Sequence, residues 1–288
     1  MGEKQTKKIG IISDSCCDLS DELREKLDLV LVPLTVSIVE GNEYVDDGTV
    51  DIPKLITELT ASKKGVKSAC PSVEQYANEM RKFDESLVIT ISSKLSGSYN
   101  SARLAAKLVH EEFPDKKIHV FDSKAAASAQ TLLAMHLREL VDQEMGFDSI
   151  VMLGQKFVKD MSTVFVLEDL GTLIKNGRMG KFTGVVASVL SVCPILQAIN
   201  GEIESIAKVR GIKNSLEKLV DIVAEMTEKL TDKSVRLVLS NCNCPKRATQ
   251  VKNMIFEKCR AIKEVIVVST GALSTIYANN GGIILAFK

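Results

Sequence analysis

The chain reads as an α/β protein of two domains: an N-terminal, mostly parallel sheet flanked by helices (residues 1–162) and a C-terminal α+β domain (163–288). Three observations predict this. Short β-branched runs alternate with helical patterns as far as Met161. Beyond it hairpins mix with helices, marked by Asn200-Gly201 between two apolar runs. No low-complexity linker separates the halves, so they are expected to share a wide apolar interface, a common place for a ligand.

Lys8–Ser13 is a buried strand, and Asp18 or Ser20 caps a helix through Lys26. Val30–Val36 is β-branched but contains Pro33, which predicts an edge or bulged strand, with Glu43–Asp47 pairing as a hairpin. Asp51 caps a helix with Pro53 in its first turn. Gly65–Ser72 is expected to be a loop, and Ser72 with Gln75 forms a capping box for a helix ending near Phe83. Leu87–Ile91 is a strand that ends in a serine-rich turn, Ser92–Ser98, before a helix from Tyr99 to Glu112. Lys117–Phe121 is a strand, followed by helices over Ala125–Met145 and Phe147–Met161.

In the second half, Thr163–Glu168 is a strand and a short helix ends at Asn176-Gly177. Thr183–Val192 reads as a small-residue helix. The hairpin Pro194–Val209 precedes an amphipathic helix, Ile212–Leu230. Strand Val235–Ser240, helix Pro245–Cys259 and strands Val265–Ser269 and Gly282–Phe287 complete the pattern.

Lysine plus arginine, 37, equals aspartate plus glutamate, 37, which argues against a nucleic-acid groove or an anionic membrane surface as the main partner. No apolar run is long enough to span a bilayer, and the charged N-terminus precedes no signal-like apolar segment. A cytoplasmic protein with no stable membrane anchor is therefore expected. Seven cysteines, an odd number with no C-x2-C pair, predict reduced thiols rather than a disulfide frame or a zinc site. His110, His119 and His136 are scattered and are expected to be structural. No metal or cofactor is expected.

The positions that could carry chemistry gather in loops. Asp14-Ser15, Ser68 with Ser72, and Ser92–Ser98 fall on one edge if the sheet is parallel, where open α/β sheets seat ligands. Four serines in seven residues beside a helix N-terminus suit an oxyanion, because the first N–H groups of a helix are unpaired and its dipole favours negative charge. The alternative for Ser96 or Ser98 is a plain helix cap. The segment from Lys175-Asn176-Gly177-Arg178 to Lys181 is either a solvated helix end or a basic loop that holds an anion. It is not a Walker loop, and neither G-x-S-x-G nor G-x-G-x-x-G occurs. No histidine is placed to serve a serine nucleophile. These residues describe an anion-seating pocket, which favours binding over catalysis. The alternative is a serine-dependent enzyme acting on an acyl or phosphoryl substrate.

At these same residues the chain resembles the DegV family of bacterial fatty-acid-binding proteins, over essentially its whole length. Ser13-Asp14-Ser15 with Asp18-Leu19 resembles the family's S-D-S-x-x-D-L, and Ser68-Ala69-Cys70-Pro71-Ser72 its T-S-Q-P-S loop. Ser92-Ser93-Lys94-Leu95-Ser96-Gly97-Ser98-Tyr99 is close to S-S-x-L-S-G-T-Y, the most specific signal. Leu167-Glu168-x-Leu170 with Lys175-x-Gly177-Arg178, and Pro194-Ile195-Leu196, match later segments. The resemblance implies a long-chain fatty acid in an apolar tunnel between the domains, its carboxylate held by Ser68 and Ser96 with Arg178 nearby. It implies no turnover by the protein itself, and presentation of the acid to a separate ATP-dependent fatty-acid kinase that docks at Arg210. Such a tunnel would take apolar side chains from both halves; Val185, Val189, Leu190 and Ile195 are candidates, with packing in the core as the alternative. Two departures bear on the head group: Asn176 replaces a glycine of the pattern, and Tyr277 stands where many members carry a histidine.

Overall fold

The computed structural model describes residues 8–62, 64–179, 192–230 and 234–288. β1 (Ile9–Asp14) leads through α1 (Asp21–Leu27) to β2 (Leu29–Val32). β3 (Thr35–Ile38) and β4 (Glu43–Val45) precede α2 (Ile52–Ala61), and β5 (Val66–Ala69) precedes α3 (Val73–Met80). Then come β6 (Glu85–Thr90), α4 (Ser98–Glu112), β7 (Lys117–Asp122), α5 (Ser128–Asp142) and α6 (Phe147–Asp160). The second half runs β8 (Ser162–Val166), α7 (Gly171–Lys175), β9 (Val192–Ile199), β10 (Glu202–Arg210), α8 (Ile212–Glu228) and β11 (Val235–Asn241). It closes with α9 (Pro245–Lys258), β12 (Ile262–Ser269), α10 (Ala272–Ala278) and β13 (Ile283–Phe287).

The described residues form three sheets. β2-β1-β6-β7 is wholly parallel. β4-β3-β5 is a small antiparallel sheet. The six-stranded sheet has the order β10-β9-β8-β13-β11-β12, antiparallel except between β11 and β12. Its fourth strand, β13, therefore lies in the interior of the sheet, between β8 and β11.

Helix α5 joins the large sheets. Ala129, Leu132, Leu133 and Leu137 pack in one cluster with Ile11, Leu87 and Ile89 of the parallel sheet and Val238, Val268 and Ala286 of the mixed one. An apolar stripe broad enough to meet both sheets explains why the helix is buried nearly all round. No helix among the described residues is long and apolar enough to cross a membrane.

Several expectations are corrected here. Val30–Val36 is not one strand: Pro33, which has no N–H to give a ladder, separates β2 from β3, and the two enter different sheets. The segment read as a loop over Gly65–Ser72 contains β5, whose Ser68 pairs opposite Val36. Helix α4 is capped by neither Ser96 nor Ser98; its N-cap is Gly97, with no side-chain cap hydrogen bond. Of the two caps that the sequence allows for α1, Ser20 is the one used, its side chain accepting the Leu23 N–H. The helix read over Ala125–Met145 is shorter, Ser128–Asp142. The helix expected over Thr183–Val192 lies outside the described residues except for Val192, which begins β9.

The Asn200-Gly201 turn has φ +52° and +88°, the left-handed pair that a two-residue hairpin requires. Its tip docks on the first half of the chain: the Ser92 hydroxyl donates to the Gly201 carbonyl at 2.7 Å. A Cβ at 201 would stand 2.6 Å from Ser92 Oγ. Gly201→Ala should thus cost about 2–3 kcal/mol, combining left-handed strain with loss of this bond. Equilibrium urea unfolding measures it, and an unchanged midpoint would contradict the docking.

Candidate functional site

β1 is the point at which the order of the parallel sheet reverses: the chain places β2 on one side of it and β6, then β7, on the other. Crevices beyond the carboxyl ends of strands at such a point commonly hold ligands. The residues that follow β1 and β6 meet there. Asp14, fully buried, accepts the Ile91 N–H at 2.8 Å, the Gln130 side-chain N–H at 2.8 Å and the Cys16 N–H at 3.3 Å. Burial pushes its pKa up to about 6, against the pull of these hydrogen bonds. Asp14 thereby ties the end of β1 to the end of β6 and shapes the turn that carries Ser96.

A cavity of about 380 Å³ opens beside this junction, within the range of about 300–1,000 Å³ usual for ligand pockets. Its walls are mostly apolar. Leu34, Ile91 and Leu95 come from the first half, and Phe165, Leu173, Ile203 and Ile284 from the second. Ser68, Ser96, Arg178 and Tyr277 all line this one cavity. They come from β5, the turn after β6, the segment after α7, and α10.

Ser68, Tyr277, Asn176 and Arg178 are linked by hydrogen bonds, and Ser96 pairs separately with Ser98. Ser68 Oγ and Tyr277 Oη lie 3.1 Å apart. Asn176 Nδ2 donates to the Val66 carbonyl at 3.1 Å and reaches Tyr277 Oη at 3.5 Å. Arg178 Nε donates to the Leu95 carbonyl at 3.2 Å, and its Nη1 donates to the Asn176 carbonyl. Gly97 sits so close to the residue after β5 that a Cβ there would be 3.0 Å from Cys70 Sγ. Ser96 Oγ accepts the Ser98 N–H at 3.2 Å and lies 3.1 Å from Ser98 Oγ. Arg178 makes no ion pair with any described residue. A guanidinium whose partners among the described residues are carbonyls, in an apolar cavity that three hydroxyls also line, favours an anionic head group on an apolar body.

Two further carboxylates hold this arrangement from behind. The N-cap of α10, Gly271, offers no side chain. Asp46 supplies the cap instead, accepting the N–H groups of Ala272 at 2.8 Å and Leu273 at 3.1 Å and the Ser15 hydroxyl at 2.9 Å. Asp18 accepts the Gly271 N–H at 3.0 Å, while its other oxygen has no partner. Burial raises the pKa of both, that of Asp18 to about 7. Sequence reasoning missed these roles; Asp46 precedes Ala272 by 226 residues, and no local pattern signals the contact.

Other expected residues fall elsewhere. Arg210 is exposed at the end of β10 and does not line the cavity. Ile195 packs against α8 with Leu219 and Val220, on the far face of β9. Its neighbour Leu196 clusters with Phe165 and Leu167, because successive strand residues face opposite sides. Val185, Val189 and Leu190 lie outside the described residues. None of the three histidines lines the cavity.

Residues 8–288 match a family model described as "Uncharacterised protein, DegV family". A DegV domain-containing protein of Streptococcus pneumoniae (strain ATCC BAA-255 / R6) is 31% identical over 281 residues, 96% of this chain and 98% of its own. A DegV-family protein from Ruminococcus gnavus, solved with vaccenic acid, superposes with a TM-score of 0.90 at 34% identity, covering 96% of this chain and 99% of that one. The Streptococcus pneumoniae Fatty Acid Kinase (Fak) B3 protein, loaded with linoleic acid, gives 0.87 at 30% identity, covering 98% and 99%.

Proposed function

The chain belongs to the DegV family, and from that premise we propose that it binds a long-chain fatty acid and presents it to a separate ATP-dependent kinase for acyl-phosphate formation. The observation that carries this reading is the convergence of four donors, Ser68, Ser96, Tyr277 and Arg178, on one otherwise apolar cavity. A carboxylate taken out of water must be hydrogen-bonded or it protonates. The acyl chain contributes about 0.8 kcal/mol per buried methylene. The tail thus supplies most of the affinity and the hydroxyls fix its register. The acid lies between two domains that divide near residue 162.

The protein performs no turnover in this reading. Support comes from the surroundings of Ser96, whose hydroxyl has the Ser98 hydroxyl and N–H as partners rather than a base. The kinase is supported by the likeness to the Fak B3 protein, and exposed Arg210 is its proposed docking residue. All seven cysteines are free thiols, the state that a reducing cytoplasm maintains.

Native mass spectrometry of the recombinant protein tests the reading. A single long-chain fatty acid should co-purify; a protein with no added mass, and no acid on extraction, overturns it. Ser96→Ala should lower affinity for the acid by about 1–3 kcal/mol, one hydrogen bond to a charged group, with the fold intact. A serine-dependent enzyme would instead keep its affinity and lose its activity.

A further inference from the structure

We propose that Asn176 is a positioning residue: it sets the direction of the Tyr277–Ser68 hydrogen bond, so that the cavity offers protons to an ionised head group and discriminates against a neutral hydroxyl one. This rests on the fatty-acid reading and goes beyond it, to the selection of the head group.

The direction follows from counting donors. Asn176 lies at the C-cap of α7, and its side chain turns back toward β5. The Val66 carbonyl can only accept, so the amide atom facing it, 3.1 Å away, is the NH2 group. That same nitrogen is the atom that faces Tyr277 Oη at 3.5 Å. With one N–H given to Val66, the second approaches the phenol oxygen, which therefore accepts. Tyr277 has a single proton, and it remains free for Ser68 Oγ, 3.1 Å away, or for the ligand. If Tyr277 donates to Ser68, the proton of Ser68 is released toward the cavity. Either way the chain runs from Asn176 outward and ends in an O–H.

An acceptor at 176 would turn the chain round. Tyr277 would then donate to residue 176 and Ser68 to Tyr277, leaving the Ser68 lone pairs facing the ligand. Such a site repels a carboxylate and suits an alcohol. The amide also ties the segment after α7 to β5 and α10 at once, which holds Ser68 and Tyr277 in reach of each other.

The test uses oleic acid and oleyl alcohol as probes, with the wild type, Asn176→Ala, Tyr277→Phe and the double variant, each checked by thermal unfolding. Asn176→Ala should weaken oleic acid by about threefold to tenfold, the loss of one hydrogen bond, and leave oleyl alcohol within twofold. In the Tyr277→Phe background, Asn176→Ala should have no further effect on the acid, because the residue acts through the phenol. An equal loss in both backgrounds, or an equal loss for acid and alcohol, overturns the inference and leaves fatty-acid binding standing. A wild type that binds no oleic acid overturns both. Should Asn176→Ala fail to fold, Asn176→Asp carries the same comparison: the acid-to-alcohol affinity ratio should fall at least tenfold, and an unchanged ratio overturns the inference.

Discussion

Asp18→Asn should be more stable than the wild type above pH 7 by about 4 kcal/mol, and nearly indistinguishable from it near pH 4. Asp18 is 1% exposed, one of its oxygens lacks a partner, and burial lifts its pKa from 3.8 to about 7. Between those values the folded state holds a proton that the unfolded state has released, so stability falls as pH rises, and the loss is complete above about 7. Asparagine keeps the acceptor for the Gly271 N–H and carries no charge to desolvate. Asp14, with a pKa near 6, adds a similar slope in both proteins and cancels from the difference. Denaturant unfolding from pH 4 to pH 9 measures the gap; a constant gap would show that Asp18 does not titrate in that range.

Asp46→Ala should act in the opposite sense, costing about 3 kcal/mol at pH 8 and weakening acid binding as well. Removing this carboxylate orphans the buried N–H groups of Ala272 and Leu273 and the hydroxyl of Ser15. Ser15 Oγ also accepts the Leu34 N–H at 3.0 Å, so the disturbance reaches the cavity wall at Leu34. The first turn of α10 then loses its cap, and α10 carries Tyr277. Asp46→Asn retains one acceptor oxygen and should lose about half as much. Unfolding with and without oleic acid separates the two effects. A full loss of stability with unaltered acid affinity would show that α10 does not need its cap to place Tyr277.

The parts of the fold that were legible are those with local signals. The Asn200-Gly201 hairpin, the Ser72–Gln75 capping box and the Asp51 cap stand as read. Ser68, Ser96, Arg178 and Tyr277, singled out by motif, line one cavity. What stayed hidden depends on distant partners. α10 is seven residues long, with no cap of its own, and exists against Asp46 and Asp18. The run Glu43–Asp47 reads as one strand of a hairpin, which β4 forms, but nothing in it marks Asp46 as buried at 3% exposure. β5 is four residues with Lys67 and Ser68 inside it, too short and polar to show a period. For Ile195 the sequence leaves tunnel and core both open, because an apolar run in a strand does not reveal which of two alternating faces meets the ligand; the side chain lies in the core.

The place of β13 has a consequence for how the protein is made. Residues 283–287 fill the gap between β8, made some 120 residues earlier, and β11. Until they leave the ribosome, β8, β9 and β10 can pair among themselves, as can β11 and β12, but each group presents an open, apolar edge to the other. The parallel sheet has no such dependence, since its last strand ends at Asp122. Synthesis therefore imposes an order: the floor that bears Ser96 can form early, whereas the opposite wall, with Ile284 on the keystone strand, is assembled only after residues 283–287 have been made. A nascent chain stalled before residue 283 would carry half a container, with its greasy seam exposed to chaperones.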